Sequence, residues 1–179
     1  MMIRKVVIIG PESTGKSTLT ESLARHYATA WTPEYAREFL AHLQGPYREA
    51  HLLEIARGQL AAEQQAEQQA RGGLLFCDTD LYVIKVWSEH RFGSCDPWIL
   101  RQIASRRYDL YLLSYIDVPW EDDPQREYPS QTMRRYFYEV YRDIVQQSGA
   151  PWVDIRGTAS QRLARATAYI DRWCDPVRM

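Results

Sequence analysis

No run of apolar residues in this chain approaches the roughly 20 that a membrane-spanning helix needs. The opening Met1-Met2-Ile3-Arg4-Lys5-Val6 runs straight into a strand pattern rather than a signal peptide. Cysteine is scarce: Cys77, Cys95 and Cys174 form an odd set without CxxC spacing, which reads as ordinary thiols and not as a disulfide framework or a zinc site. An excess of either charge is missing too. The 22 Lys and Arg residues balance 23 Asp and Glu residues and are mixed among them, so the basic footprint of a nucleic-acid binder is absent. These absences lead to the expectation of a cytoplasmic protein that works on small molecules, with neither nucleic acid nor membrane as a partner. They leave the oligomeric state open. At 179 residues the chain can bury the core of one domain and is short for two, so residues 1–179 are read as a single domain.

What is present begins near the N-terminus. Val6-Val7-Ile8-Ile9 is an apolar run that empties into Gly10-Pro11-Glu12-Ser13-Thr14-Gly15-Lys16-Ser17, a G-x-x-x-x-G-K-S pattern followed by a helical one. Gly10 and Gly15 permit backbone turns closed to other residues, so that successive N–H groups point inward as an anion cradle. The helix opening near Lys16 adds its positive dipole end, the Lys16 ammonium reaches the β- and γ-phosphates, and Ser17 offers its hydroxyl to Mg²⁺. This is a P-loop for a nucleoside triphosphate. Gly10, Glu12, Ser13, Thr14, Gly15, Lys16, Ser17 and Thr18 are the expected nucleotide-binding set.

Ile3 to Ile9 suits a central parallel strand covered on both faces, and Thr14 to Ala28 a helix with Leu19, Leu23 and His26 or Tyr27 on its inner side. Ala28 to Thr32 reads as a short second strand, after which Pro33 opens a helix that Gly45-Pro46 ends. Tyr47 to Arg71 reads as one long helix stopped by Gly72-Gly73, although its Glu/Gln-rich end over 63–69 can also be read as a linker. Leu74 to Cys77 is a further buried strand, Leu81 to Glu89 and Trp98 to Arg106 are helices, and Tyr108 to Leu113 is a fourth strand. Ser114 to Pro129 has little periodicity and is read as a lid before a helix over 130–147. Pro151 to Ile155 and Ala159 to Trp173 follow as strand and helix. The alternation predicts an α/β P-loop NTPase fold: about five parallel strands, helices on both faces, and ligands outside the strand carboxyl ends.

Three clusters fall at that edge. Asp78-Thr79-Asp80 follows the third strand where a Mg²⁺-binding carboxylate belongs, so Asp78 is read as a metal ligand beside Ser17. Asp80 is either a ligand contact in the same crevice or the cap of the next helix. The segment from Trp31 to Glu38 brings a carboxylate, a guanidinium and two rings together. Glu34 there could take the proton of an acceptor hydroxyl and Arg37 could steady the moving phosphoryl group; alternatively this is a plain helix start whose Trp31 and Tyr35 fill core. Asp122-Asp123-Pro124-Gln125-Arg126 lies in the lid, where closure would set Arg126 against the triphosphate and exclude water, with exposed salt bridging as the alternative.

GPESTGKS, TPEYARE, the strand ending in CDTD, and PWEDDPQR, in this order and at about these separations, resemble the ribosylnicotinamide kinase domain of NadR-type NAD-biosynthesis proteins over Ile3 to roughly Asp171. The resemblance implies a kinase that passes the γ-phosphoryl group of ATP, with Mg²⁺, to the 5′-hydroxyl of nicotinamide riboside, giving nicotinamide mononucleotide. It implies Glu34 as the base with Asp78 and Asp80 as competitors, catalytic roles for Lys16 and Arg126, and an adenine contact at Gly157-Thr158. A flat pyridinium would stack by cation–π attraction on Trp31 or Tyr35, with Trp87 or Trp120 as further candidates, beside Arg37 and Asp80. Two features depart from the family. No HxGH motif occurs and nine residues precede Gly10, so the expectation is a standalone kinase that makes the mononucleotide and not the dinucleotide. Pro124 stands where the family's DDGxR pattern has glycine, a departure that bears on the geometry of the lid and on substrate preference.

Two other classes fit the same motifs. One is a kinase of another nucleoside or nucleotide, for which a monophosphate acceptor would call for more basic residues than the region 34–38 offers. The other is a non-kinase ATP-binding regulatory module, which would turn over ATP without any added alcohol.

Overall fold

From Val6 to Ile9 every residue is fully buried, because neighbouring side chains point to opposite faces of one sheet and both faces are covered. The computed structural model describes residues 2–175; Met1 and residues 176–179, the ends of the expected domain, lie outside the described residues. In chain order the elements are β1 (Arg4–Ile9), α1 (Lys16–His26), β2 (Trp31–Thr32), α2 (Tyr35–His42), α3 (Glu49–Gln69), β3 (Leu74–Asp78), α4 (Leu81–Phe92), α5 (Pro97–Ser105), β4 (Leu110–Ser114), α6 (Gln131–Gln147), β5 (Trp152–Ile155) and α7 (Ala159–Cys174). All five strands are parallel, in the order β2-β3-β1-β4-β5. The winding reverses at β1, so the carboxyl end of β1 opens into the crevice where such sheets take ligands. Among the described residues no helix is long and apolar enough to cross a membrane.

The period of two along the strands sorts the core into layers. Val7, Ile9, Leu75, Cys77, Tyr111 and Leu113 meet α4 and α6, while Val6, Ile8, Phe76, Leu110 and Leu112 meet α1 and α7. On α1 it is Tyr27, stacked on Phe76, that covers the sheet, and His26 is exposed. A third core of Ala36, Leu52, Ile55, Ala56, Ile84 and Ile99 joins α2 to α5 into a helical annex beside the β2 edge. Gly58 in the middle of α3 has a packing reason, since a Cβ there would lie 2.0 Å from Tyr35 Cε1. The Glu/Gln-rich stretch over 63–69 is helix and not linker. Glu63 is only 2% exposed and accepts from Lys5 Nζ at 2.9 Å and from the Tyr108 hydroxyl at 2.8 Å, which ties the end of α3 to the sheet.

Candidate active site

The backbone between β1 and α1 makes two left-handed or glycine-only turns. Gly10 has φ +146°, and a Cβ on it would lie 2.7 Å from the Ser114 carbonyl of β4, so only glycine lets the loop leave the sheet at this point. Gly15, at φ 74°, starts α1. Ser13 lies in the left-handed region at φ 54°, which costs a non-glycine residue of the order of 1 kcal/mol. Its surroundings hold it there: Ser13 Oγ accepts from Glu121 N at 2.9 Å and Arg126 Nη1 at 3.3 Å, and its carbonyl accepts from Arg134 Nη2 at 3.1 Å. Lys16 Nζ and Thr14 Oγ1 both donate to the Pro11 carbonyl at 2.8 Å.

A cavity of about 910 Å³ is lined by this loop, by Glu34 and Arg37, and by a cluster of aromatic rings. There Tyr47 and Trp87 meet edge to face at 4.8 Å, Trp87 Nε1 donates to the Tyr47 hydroxyl, and that hydroxyl donates to Glu127 Oε1 at 2.7 Å. His90, Tyr128, Phe137 and Tyr141 complete the wall. The loop between β4 and α6 closes over the cavity through polar bonds. Glu12 Oε2 accepts from the backbone N–H groups of Glu127 and Tyr128 at 3.0 and 3.1 Å. Burial pushes the Glu12 carboxyl up, against the pull of those two amides. On the other side Arg37 Nη1 donates to Asp123 Oδ2, and Gln125 Nε2 donates to the Arg37 carbonyl.

Asp78, at the end of β3, is 1% exposed, and its Oδ1 has no hydrogen-bond partner among the described residues. Burial, and then repulsion from Glu34, raise its pKa to about 6 against the opposing Lys16 ammonium and Ser17 hydroxyl. An orphaned buried carboxylate oxygen beside the P-loop serine is the donor set that a hard cation completes. No group of three or more His, Cys, Asp or Glu side chains placed to hold a metal exists among the described residues. A cation here would therefore draw most of its shell from phosphate and water.

Several expected residues lie elsewhere. Asp80 caps α4, as the alternative reading had it, accepting from Tyr82 N and the Tyr111 hydroxyl at 2.9 Å; it is fully buried and does not line the cavity. Trp31 packs into the α1 side of the sheet and Tyr35 against Gly58, both as core, because β2 and the first turn of α2 turn those rings away from the cavity. Trp120 does not line the cavity; its half-buried ring lies 6.0 and 5.8 Å from the guanidinium carbons of Arg126 and Arg134, and its indole N–H donates to Asp122. Gly157 and Thr158 do not line the cavity: Gly157 N donates to Asp117 and the Thr158 hydroxyl caps α7, leaving Ala159 and Arg162 to face it. Glu34, Arg37, Arg126 and Trp87 all line it together with residues 10 and 12–18.

Among the residues the sequence did not point to are Tyr47 and Glu127 at the aromatic cluster and two arginines. Arg134 and Arg162, at 4% and 3% exposure, carry guanidinium groups into the interior under the phosphate loop. Arg162 donates to the carbonyls of Thr14, Gly157 and Tyr115 and pairs with Asp117. A signal was available, since each arginine sits on the buried stripe of its helix: Arg134 with Phe137, Tyr138, Tyr141 and Val145, and Arg162 with Ala166 and Ile170. A charge on an apolar stripe needs a buried partner.

The chain is similar to the trifunctional NAD biosynthesis/regulator protein NadR of Salmonella typhimurium, 26% identical over 157 residues that make up 86% of this chain and 38% of the relative. It thus spans well under half the length of that relative. A crystal structure of NadR protein in complex with NR superposes with a TM-score of 0.77 at 23% identity, over 96% of this chain and 51% of the other. The thymidylate kinase of Candida albicans superposes with a TM-score of 0.69 at 16% identity, over 95% and 92% of the two chains. The fold is that of the P-loop NTPases. With its phosphate loop at the carboxyl end of a five-stranded parallel sheet, and with the family model for AAA domains matching residues 5–162, the chain belongs to the AAA_28 family of AAA domains.

Proposed function

We propose that this chain is an ATP-dependent kinase that phosphorylates the 5′-hydroxyl of nicotinamide riboside to give nicotinamide mononucleotide. The observation that carries the reading is that one cavity joins the P-loop to Glu34 and to a cluster both aromatic and acidic, with Tyr47 and Trp87 beside Glu127. A flat cationic ring gains from aromatic faces and from nearby carboxylates. The similarity to NadR supports the same acceptor.

In this reading the N–H groups of residues 12–16 and the Lys16 ammonium bind the triphosphate. Ser17 and Asp78 would hold Mg²⁺, which supplies neutralisation of the phosphate charge. Glu34 takes the proton from the acceptor hydroxyl as its oxygen bonds to the γ-phosphorus; the bond from that phosphorus to the β,γ-bridging oxygen breaks, and ADP leaves. Arg126, held over Ser13, steadies the equatorial oxygens. The β4–α6 loop acts as the lid, and residues 1–179 act as one kinase domain in the cytoplasm.

A nucleoside monophosphate kinase is the second reading, given the thymidylate kinase fold. It needs a free cation at the acceptor end. Arg37, the cation nearest Glu34, is engaged by both Glu34 and Asp123, which favours an acceptor without phosphate. The deciding measurement is ADP release from ATP and Mg²⁺ with nicotinamide riboside, other nucleosides and nucleoside monophosphates, with product masses checked. A phosphate gained only by the riboside supports the proposal. Transfer to a monophosphate, or ATP turnover indifferent to every acceptor, refutes it.

A further inference from the structure

We propose that Arg134 and Arg162 are positioning residues which fix the direction of two successive peptide planes in the phosphate loop. The inference rests on the reading of residues 10–17 as the triphosphate site. In a trans peptide the carbonyl and the following N–H point in opposite directions. Arg134 Nη2 binds the Ser13 carbonyl at 3.1 Å, and Arg162 Nη1 binds the Thr14 carbonyl at 2.9 Å. The N–H groups of Thr14 and Gly15 are thereby turned away from the guanidinium nitrogens that hold the two carbonyls, on a loop where Thr14 and Gly15 line the cavity that Arg162 also borders.

Orientation needs an agent here, because the flanking backbone is soft. Ser13 and Gly15 both lie in the left-handed region, at φ 54° and 74°, where a rotation of the intervening planes exchanges an inward N–H for an inward carbonyl. Such a carbonyl would repel the anion that the N–H attracts. The arginines are themselves held from outside the loop. Arg134 Nη2 also donates to the Val118 carbonyl at 3.0 Å, and Arg162 is fixed by Gly157, Tyr115 and Asp117. Helices α6 and α7 thus reach under the loop from two sides and act on a phosphate through its amides.

The test uses the intact chain. Calorimetric titrations with ATP, inorganic tripolyphosphate and nicotinamide riboside compare wild type with Arg134→Lys and Arg162→Lys, with thermal unfolding as the check on folding. Lysine keeps the charge, but a single ammonium cannot bridge the carbonyls that a guanidinium spans. ATP and tripolyphosphate are expected to weaken about tenfold in each variant while the riboside stays within about twofold of wild type. Triphosphate affinity that does not change, or a loss shared equally by all three ligands, overturns the proposal. Wild-type amide resonances decide the matter even if a variant fails to fold. On addition of ATP the Thr14 and Gly15 N–H signals must move downfield as they bond to phosphate oxygen, and unmoved signals refute the orientation. A wild-type chain that binds neither ATP nor tripolyphosphate removes the triphosphate reading itself, and this inference with it.

Discussion

Arg37 donates from Nη1 to Asp123 Oδ2 at 2.9 Å across 86 residues of sequence, while its Nε lies 3.3 Å from Glu34 Oε2. One guanidinium therefore joins the proposed base to the proposed lid. Hydrogen bonds from Gln125 N and then from Arg37 keep the Asp123 carboxyl below its ordinary range. Replacing Asp123 by Ala should cost no more than about 1 kcal/mol of stability, since the pair is partly exposed. The functional cost should be larger. A lid freed from α2 admits water, so ADP release without acceptor should rise several-fold while transfer to the acceptor falls. Unchanged partition between hydrolysis and transfer would sink the latch.

Glu34 lines the cavity and caps α2 without a side-chain hydrogen bond to the helix backbone, its carboxylate facing Arg37 instead. Glu34→Gln should leave ATP affinity within about twofold and lower kcat about 10²–10⁴-fold. Rapid-quench phosphoryl transfer, with ATP binding measured separately, distinguishes this from a positional defect. A variant with near-normal kcat would move the base to another residue.

Trp87 is held by its indole N–H on the Tyr47 hydroxyl, which presents two rings at fixed angles to the cavity. In Trp87→Leu, KM for a pyridinium acceptor should rise about tenfold, as expected for loss of a largely desolvated cation–π contact, with KM for ATP unaffected. A neutral isostere of the acceptor should lose much less. Equal losses for the charged and the neutral acceptor would show that the ring serves only as apolar wall.

Asp80 gives a pH prediction with a definite sign. Burial lifts its carboxyl from 3.8 to about 7, against donation from the Tyr111 hydroxyl and the Tyr82 amide. The folded chain therefore keeps a proton that the unfolded chain releases. The stability this group contributes is fully present below about pH 4 and is lost as pH rises to about 7. Asn at this position keeps an amide-type cap and cannot titrate. Urea unfolding of wild type and Asp80→Asn in chelator should show wild type losing roughly 1 kcal/mol per pH unit relative to the variant between pH 4 and 7, and nothing further above. A constant gap across that range would contradict the buried-proton account.

The sequence by itself determined the phosphate loop, the order of strands and helices, and the parallel sheet, because each rests on local chemistry: glycine backbone freedom, unbroken apolar runs, and cap and break residues within a few positions of one another. It also left Asp80 between two roles that only the fold separated. Tertiary structure alone decided which rings face the cavity. Trp31, Tyr35 and Trp120 stand next to the chemistry in sequence and turn into core or onto Arg126 and Arg134, whereas Trp87 and Tyr47 come from α4 and from the loop before α3 to line the cavity. A side chain's direction depends on which face of its element meets the rest of the molecule, and that is a long-range property. The same reason hid Arg134 and Arg162. Their place on apolar stripes could be read from spacing, but all the carbonyls that receive them except that of Gly157 belong to segments 16 to 148 residues away.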